Sequence, residues 1–146
     1  MDQSDLVAFL RQYPLAVQAS AAVGGGVQAA VVGIAVSDEL EVVFDTVESS
    51  RKVANLRRDP RIALVIAGTI IGDERTVQYE GLADEPTGDD LARLQELYFA
   101  VFPDGRERAG WPGITYLRAR PSWIRYIDFG ADPPTSVEFG PDELRR

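Results

Sequence analysis

Cysteine and histidine are both absent from this chain of 146 residues. Without thiols there is no disulfide framework, no iron–sulfur ligation and no thiolate nucleophile. Without imidazole there is no histidine-ligated zinc or haem and no catalytic triad built on that base. What remains is carboxylate, amine or hydroxyl chemistry, or a bound cofactor that brings its own reactivity. Positive charge is also short, 15 Lys and Arg against 23 Asp and Glu, for a net charge of −8. That balance argues against a nucleic-acid partner, which needs a broad basic surface, but leaves room for a pocket of two or three cations around one phosphate. Long apolar runs are missing as well: residues 29–36 and 62–72 fall far short of a membrane span. The N-terminal Met1-Asp2-Gln3-Ser4-Asp5 lacks the basic-then-apolar order of a secretory signal. The expectation is one cytoplasmic domain over 1–146, with no membrane partner.

The residues present alternate between strand and helix patterns. Ser4 is placed to cap a short helix with Leu6, Phe9 and Leu10 on one face, ending near Tyr13-Pro14. A strand over 15–23 leads to Gly24-Gly25-Gly26, read as a hairpin turn because the spacing of a phosphate loop is missing. Residues 27–36 form a nearly continuous Ala, Val and Ile run, predicted to make one strand paired as a hairpin with 40–46. A helix over 49–59 ends at Pro60, and strands follow at 61–67 and 76–83, the latter alternating with Val77, Tyr79 and Gly81 on one face. Gly88 to Phe102 turns helical, with Leu91, Leu94, Tyr98 and Val101 in a stripe. Two last strands, 114–119 and 123–129, are predicted to flank a turn at Arg120-Pro121-Ser122, ahead of an acidic tail. The fold class is mainly β with inserted helices, an antiparallel barrel of six to seven strands.

Ser49-Ser50-Arg51-Lys52 stands out, because it follows a strand and opens a helix. Helix starts present unpaired N–H groups and a partial positive charge. Two cations on that turn oppose the dipole, at a cost of about 0.3–1 kcal/mol, unless an anion sits between. A capped helix with solvated cations and a phosphate cradle both account for the pattern. Arg57, Arg58 and Arg61 are read as surface cations, and Asp38, Glu39 and Glu41 as hairpin solvation rather than a metal site.

The order Phe44-Asp45-Thr46, loop, Ser50-Arg51-Lys52, helix, Asp59-Pro60-Arg61, strand resembles the FMN-binding split-barrel family of pyridoxamine 5′-phosphate oxidases. The later strand Thr76 to Ala83, with its Gly-x-Ala end, is similar to the family's as well. The resemblance implies an antiparallel split β-barrel of the FMN-binding type, working as a homodimer with FMN at the subunit interface. It implies that Arg51 and Lys52 clamp the FMN phosphate, that Ser50 adds a hydroxyl and that Thr46 contacts the phosphate–ribityl region. The flavin-contacting glutamine of the family falls at Thr76, or at Gln78 if the 68–75 loop shifts the register.

The departures carry weight too. The family's oxidases bear an Arg and a Lys on the strand that aligns with 30–35, where this chain has no charge, and a histidine in the segment that grips the vitamin substrate. Pyridoxal phosphate synthesis is therefore not expected; the shorter relatives, which bind FMN or a deazaflavin, are the better comparison. The expected function is an FMN-dependent oxidoreductase acting on a small-molecule substrate, with no side chain marked as a catalytic acid or base. Three alternatives stay open: a non-catalytic FMN carrier, a degenerate split barrel serving as an interaction module, and a deazaflavin-dependent reductase. Trp111-Pro112-Gly113 fits a lid beside the flavin or a plain turn, and Trp123 and Arg125 fit the flavin edge or simple packing.

Overall fold

Asp2, not Ser4, opens the first helix of the computed structural model, which describes residues 1–144. The Asp2 carboxylate accepts from the Asp5 N–H and the Asp5 carboxylate from the Asp2 N–H, each at 2.8 Å, a reciprocal cap. The helix, α1 (Gln3–Leu10), buries Leu6, Val7, Phe9 and Leu10. Strand β1 (Leu15–Ala21) then turns through the glycine triplet into β2 (Val27–Gly33), with Gly24 and Gly25 at φ of 84° and 89°, a conformation other residues adopt only with strain.

The apolar run at 27–36 is not one strand. It breaks at Ile34, whose N–H donates to Pro14 O at 2.8 Å, and only β3 (Ala35–Val36) continues. The predicted hairpin with β4 (Val42–Val47) shrinks to two residue pairs, and β2 pairs instead with β1. Gly33 ends β2 at the break, where a Cβ would stand 2.7 Å from the Phe102 ring, and the run divides between β1 and β4 as partners. Helix α2 (Arg51–Arg58), β5 (Arg61–Ala67), β6 (Arg75–Asp84), α3 (Gly88–Val101) and a short α4 (Gly105–Arg108) follow. In α3 the buried face is Leu94, Tyr98 and Phe99, whereas Val101 is exposed.

The last two predicted strands are a single 15-residue strand, β7 (Ile114–Asp128). Pro121 does not end it, because the chain bulges there: Glu80 faces Trp123 while Gly81 faces Pro121, leaving Ser122 as the extra residue. Gly81 is required at this point, since a Cβ would stand 2.1 Å from the Arg120 carbonyl oxygen. Part of the tail read as merely acidic adds β8 (Thr135–Phe139) beside β7.

The sheet order is β2-β1-β5-β6-β7-β4-β3, antiparallel throughout, with β8 on β7. Its two ends, β2 and β3, are consecutive in the chain, so the sheet curls back on itself as a split barrel. Val42, Phe44, Val77, Tyr79 and Ile124 fill the interior. Tyr79 is wholly buried, its hydroxyl 2.8 Å from Leu40 O and 3.0 Å from Ala119 O. Helix α3 is pinned by Arg118, only 4% exposed, which reaches Glu41, Asp84 and Asp90 at 3.1, 2.8 and 3.3 Å. No helix among the described residues is long and apolar enough to cross a membrane.

Candidate functional site

Helix α2 packs against β1 and β6, and its side chains reach Gln28 of β2 and Thr46 of β4. Its buried Val53, Leu56 and Asn55 face the sheet interior, and Pro60 prevents its continuation. Arg57 and Arg58 in the last turn suit the dipole; the first turn has no acidic residue and carries Arg51 and Lys52. Ser50 is the N-cap in extended geometry, yet its side chain makes no cap hydrogen bond. The Ser50 hydroxyl instead lies 3.2 Å from Thr46 Oγ1, and Lys52 Nζ donates to that same oxygen at 3.2 Å. The N–H groups of the first turn, which a helix cannot satisfy from within, thus receive no bond from the Ser50 side chain.

Arg51 turns to the other side of the split. Its exposed guanidinium lies beside the Gln28 carboxamide. The other end of that carboxamide is 2.6 Å from Asn55 Nδ2, which also donates to Ser20 Oγ at 3.2 Å. Ser20 and Gln28 are cross-strand partners, so both project inward toward α2. Gln28 and Asn55 escaped the sequence reading; the signal was a run of polar residues, Gln18, Ser20 and Gln28, on core-facing positions of otherwise apolar strands.

The corner is braced from β7. The Glu48 N–H donates to Gly113 O at 2.6 Å, which ties the Trp111-Pro112-Gly113 turn to the β4–α2 loop and leaves Trp111 56% exposed. Behind it, the Asp45 carboxylate accepts from Arg108 Nε at 2.7 Å and from the Tyr98 hydroxyl at 3.0 Å. Burial, followed by the nearby Asp45 charge, pushes the Tyr98 hydroxyl up to about 12, so this phenol stays protonated at neutral pH.

Thr46, Ser50, Arg51 and Lys52 therefore share one corner, whereas Thr76 and Gln78 do not join it. Both lie on the outer face of β6, with the sheet between them and α2. Thr76 donates to Ala67 O at 3.2 Å, and Gln78 pairs across to Val65 on β5 and Arg125 on β7. Trp123 and Arg125 share that outer face, beside Glu138 of β8. The other arginines are engaged elsewhere: Arg57 with Glu48 and Glu85, Arg58 with Ala21 O, and Arg61 with Asp59. Glu41 is held by Ser37, Arg93 and Arg118, and Asp38 by Arg11.

The pyridoxamine 5′-phosphate oxidase family model matches residues 3–128. The chain belongs to that family. Among solved structures, the heme-binding protein of Mycobacterium smegmatis superposes with a TM-score of 0.83 at 16% identity; the alignment covers 97% of this chain, which spans only 59% of that protein's length. A pyridoxamine 5′-phosphate oxidase-related, FMN-binding protein of Nostoc punctiforme gives a TM-score of 0.68 at 12% identity, covering 94% of this chain and 96% of its own. The heme storage protein HutZ of Vibrio cholerae matches with a TM-score of 0.68 at 12% identity, over 83% of this chain and 91% of its own. Such identities establish the oxidase-family fold and nothing finer. Among curated protein sequences none matches.

Proposed function

We propose that this chain is an FMN-binding protein of the oxidoreductase type, with the FMN phosphate held at the start of α2. The observation that carries the proposal is the α2 N-terminus itself: two cations stand where the dipole disfavours them, and the N-cap hydroxyl is turned away from the helix N–H groups. A phosphate dianion removes the mismatch. Lys52 and Arg51 would neutralise it from the β4 and β2 sides, and the Ser50 and Thr46 hydroxyls would add hydrogen bonds of the charge-assisted class. When bound, FMN supplies the hydride or electron chemistry; the protein binds, orients and shields it.

FMN is favoured over the heme bound by some proteins of this fold, because the α2 corner offers cations and hydroxyls suited to a phosphate, and the chain has neither histidine nor cysteine as an axial ligand to iron. A homodimer follows from the outer face of the sheet. Leu15, Val31 and Val65 are 59%, 66% and 44% exposed, and the β2-β1-β5 register aligns Val31, Val17 and Val65 in one row that continues to Gln78 and Arg125. Burying such a patch against a second copy shields it from water. It would also let a cofactor anchored at one chain's α2 corner reach Thr76 or Gln78 on the other. The substrate is a small molecule, and the setting is cytoplasmic.

The test is a spectrum of purified protein reconstituted with FMN, followed under NADH or NADPH. Flavin absorbance bleached by a nicotinamide supports the oxidoreductase reading. Bound flavin that yields only to dithionite leaves a carrier, tighter binding of a deazaflavin makes that coenzyme the cofactor, and no binding leaves an interaction module.

A further inference from the structure

The loop of residues 68–74, which joins β5 to β6, holds apolar side chains open to water beside Thr76. Ile71 is fully exposed, and Ile70 and Phe129 are more than half exposed. With Val65, Ala67 and Thr76 they line a groove of about 470 Å³, within the size range of small-molecule sites. The groove is formed before any ligand arrives. Ile70 O accepts from the Asp73 N–H at 3.0 Å, closing a turn whose third residue, Gly72, stands at φ 95°, as that position requires. Arg75 grips the Asp73 carboxylate with Nε at 2.8 Å and Nη2 at 2.9 Å, and the Phe129 N–H donates to Glu74 O at 3.1 Å. With the loop tied at this end, a ligand meeting Ile70, Ile71 and Phe129 has little left to order.

The charge of the groove is selective. No Lys or Arg lines it, and its only ionisable residues are Asp73 and Glu74. A phosphate or sulfonate entering there would lose water to apolar walls and gain no cation in return. Asp73 is paired with Arg75, and Glu74 is exposed and screened by solvent, so no carboxylate is set to hold a cation either. What remains is the apolar surface, which an uncharged molecule covers at no such cost. We propose that this groove is the substrate site and that the substrate is an uncharged, largely apolar small molecule. This rests on the flavin reading, in which a cofactor held at one chain's α2 corner reaches Thr76 of the other.

The test is a fluorescence titration of the full chain, with and without FMN, using two probes: N-phenyl-naphthylamine, which is uncharged, and anilinonaphthalene sulfonate, the same aromatic frame with a negative charge. The uncharged probe should bind at least about tenfold more tightly than the sulfonate, and FMN should not displace it. Ile71→Asp and, separately, Phe129→Ser should each weaken the uncharged probe about tenfold while the melting temperature holds, because both side chains are exposed. Equal affinity for the two probes, variants that bind the uncharged probe as the wild type does, or its displacement by FMN would overturn the inference. So would a wild type that binds no probe and an Ile71→Asp variant that loses a dimer, which would assign these side chains to a second copy. A protein that binds the uncharged probe through Ile71 yet takes up no FMN would overturn the flavin reading and leave the groove's choice of ligand standing.

Discussion

Removing both corner cations should move binding and stability in opposite directions. Each charge-assisted bond to a phosphate is worth roughly 1.5–3 kcal/mol. Arg51 is exposed and Lys52 half-buried, which places both near the lower end of that range. The Arg51→Ala/Lys52→Ala variant should therefore lose about 3 kcal/mol of FMN binding, about 150-fold in Kd. In the apoprotein the same change removes two positive charges from a positive helix end, each costing about 0.3–1 kcal/mol. The loss of the Lys52–Thr46 hydrogen bond, about 1 kcal/mol, offsets part of that gain. The apo melting temperature should stay level or rise by a few degrees. Fluorescence titration with FMN and riboflavin reads the first effect, and calorimetry without ligand the second. Equal losses for FMN and riboflavin, or an apoprotein that melts well below wild type, would mean that these side chains serve the fold and not a phosphate.

Three further outcomes follow from the same structure. Val31→Asp, a charge on the exposed β2 row, should shift a dimer to monomer in sedimentation equilibrium; a variant that stays dimeric would remove this face as the interface, and a monomeric wild type would remove the dimer proposal. Gly81→Ala forces a Cβ onto the Arg120 carbonyl, a backbone atom that cannot swing aside; it should cost at least about 2 kcal/mol and lower the melting temperature by about 5 °C or more. Asp59, Asp73 and Asp90 are held below the usual carboxylate range chiefly by Arg61, Arg75 and Arg93, while Glu41 is held low by Arg93, Ser37 and Arg118 against the opposing effect of burial. The stability they contribute is complete above about pH 4.5 and should drain away as pH falls through their folded values. With no histidine, the melting temperature should hold nearly flat from about pH 6 to 8, and a transition in that window would contradict the assignment.

The corner at α2 was legible because a helix start, its cap and its cations are contiguous in sequence, so local rules reach them. Gln28 was not, because its partners on α2 lie more than twenty residues away and only the β1–β2 register turns it inward. The same limit governs the strands. The strands up to residue 129 were found in outline, but the break after Gly33 divides one apolar run between two partners, and β7 runs through Pro121 because a bulge tolerates the missing N–H. The tail strand Thr135–Phe139 gave too weak an alternation to show before β7 offered it an edge. Thr76 and Gln78 were legible only as positions on a strand, and the structure places both away from the α2 corner.

The most direct measurement is a crystal structure of the protein with FMN. The account predicts the phosphate at the first turn of α2, between Arg51 and Lys52 and within hydrogen-bond distance of the Ser50 or Thr46 hydroxyl. A flavin whose phosphate lies elsewhere, with both cations extended into solvent, would contradict it.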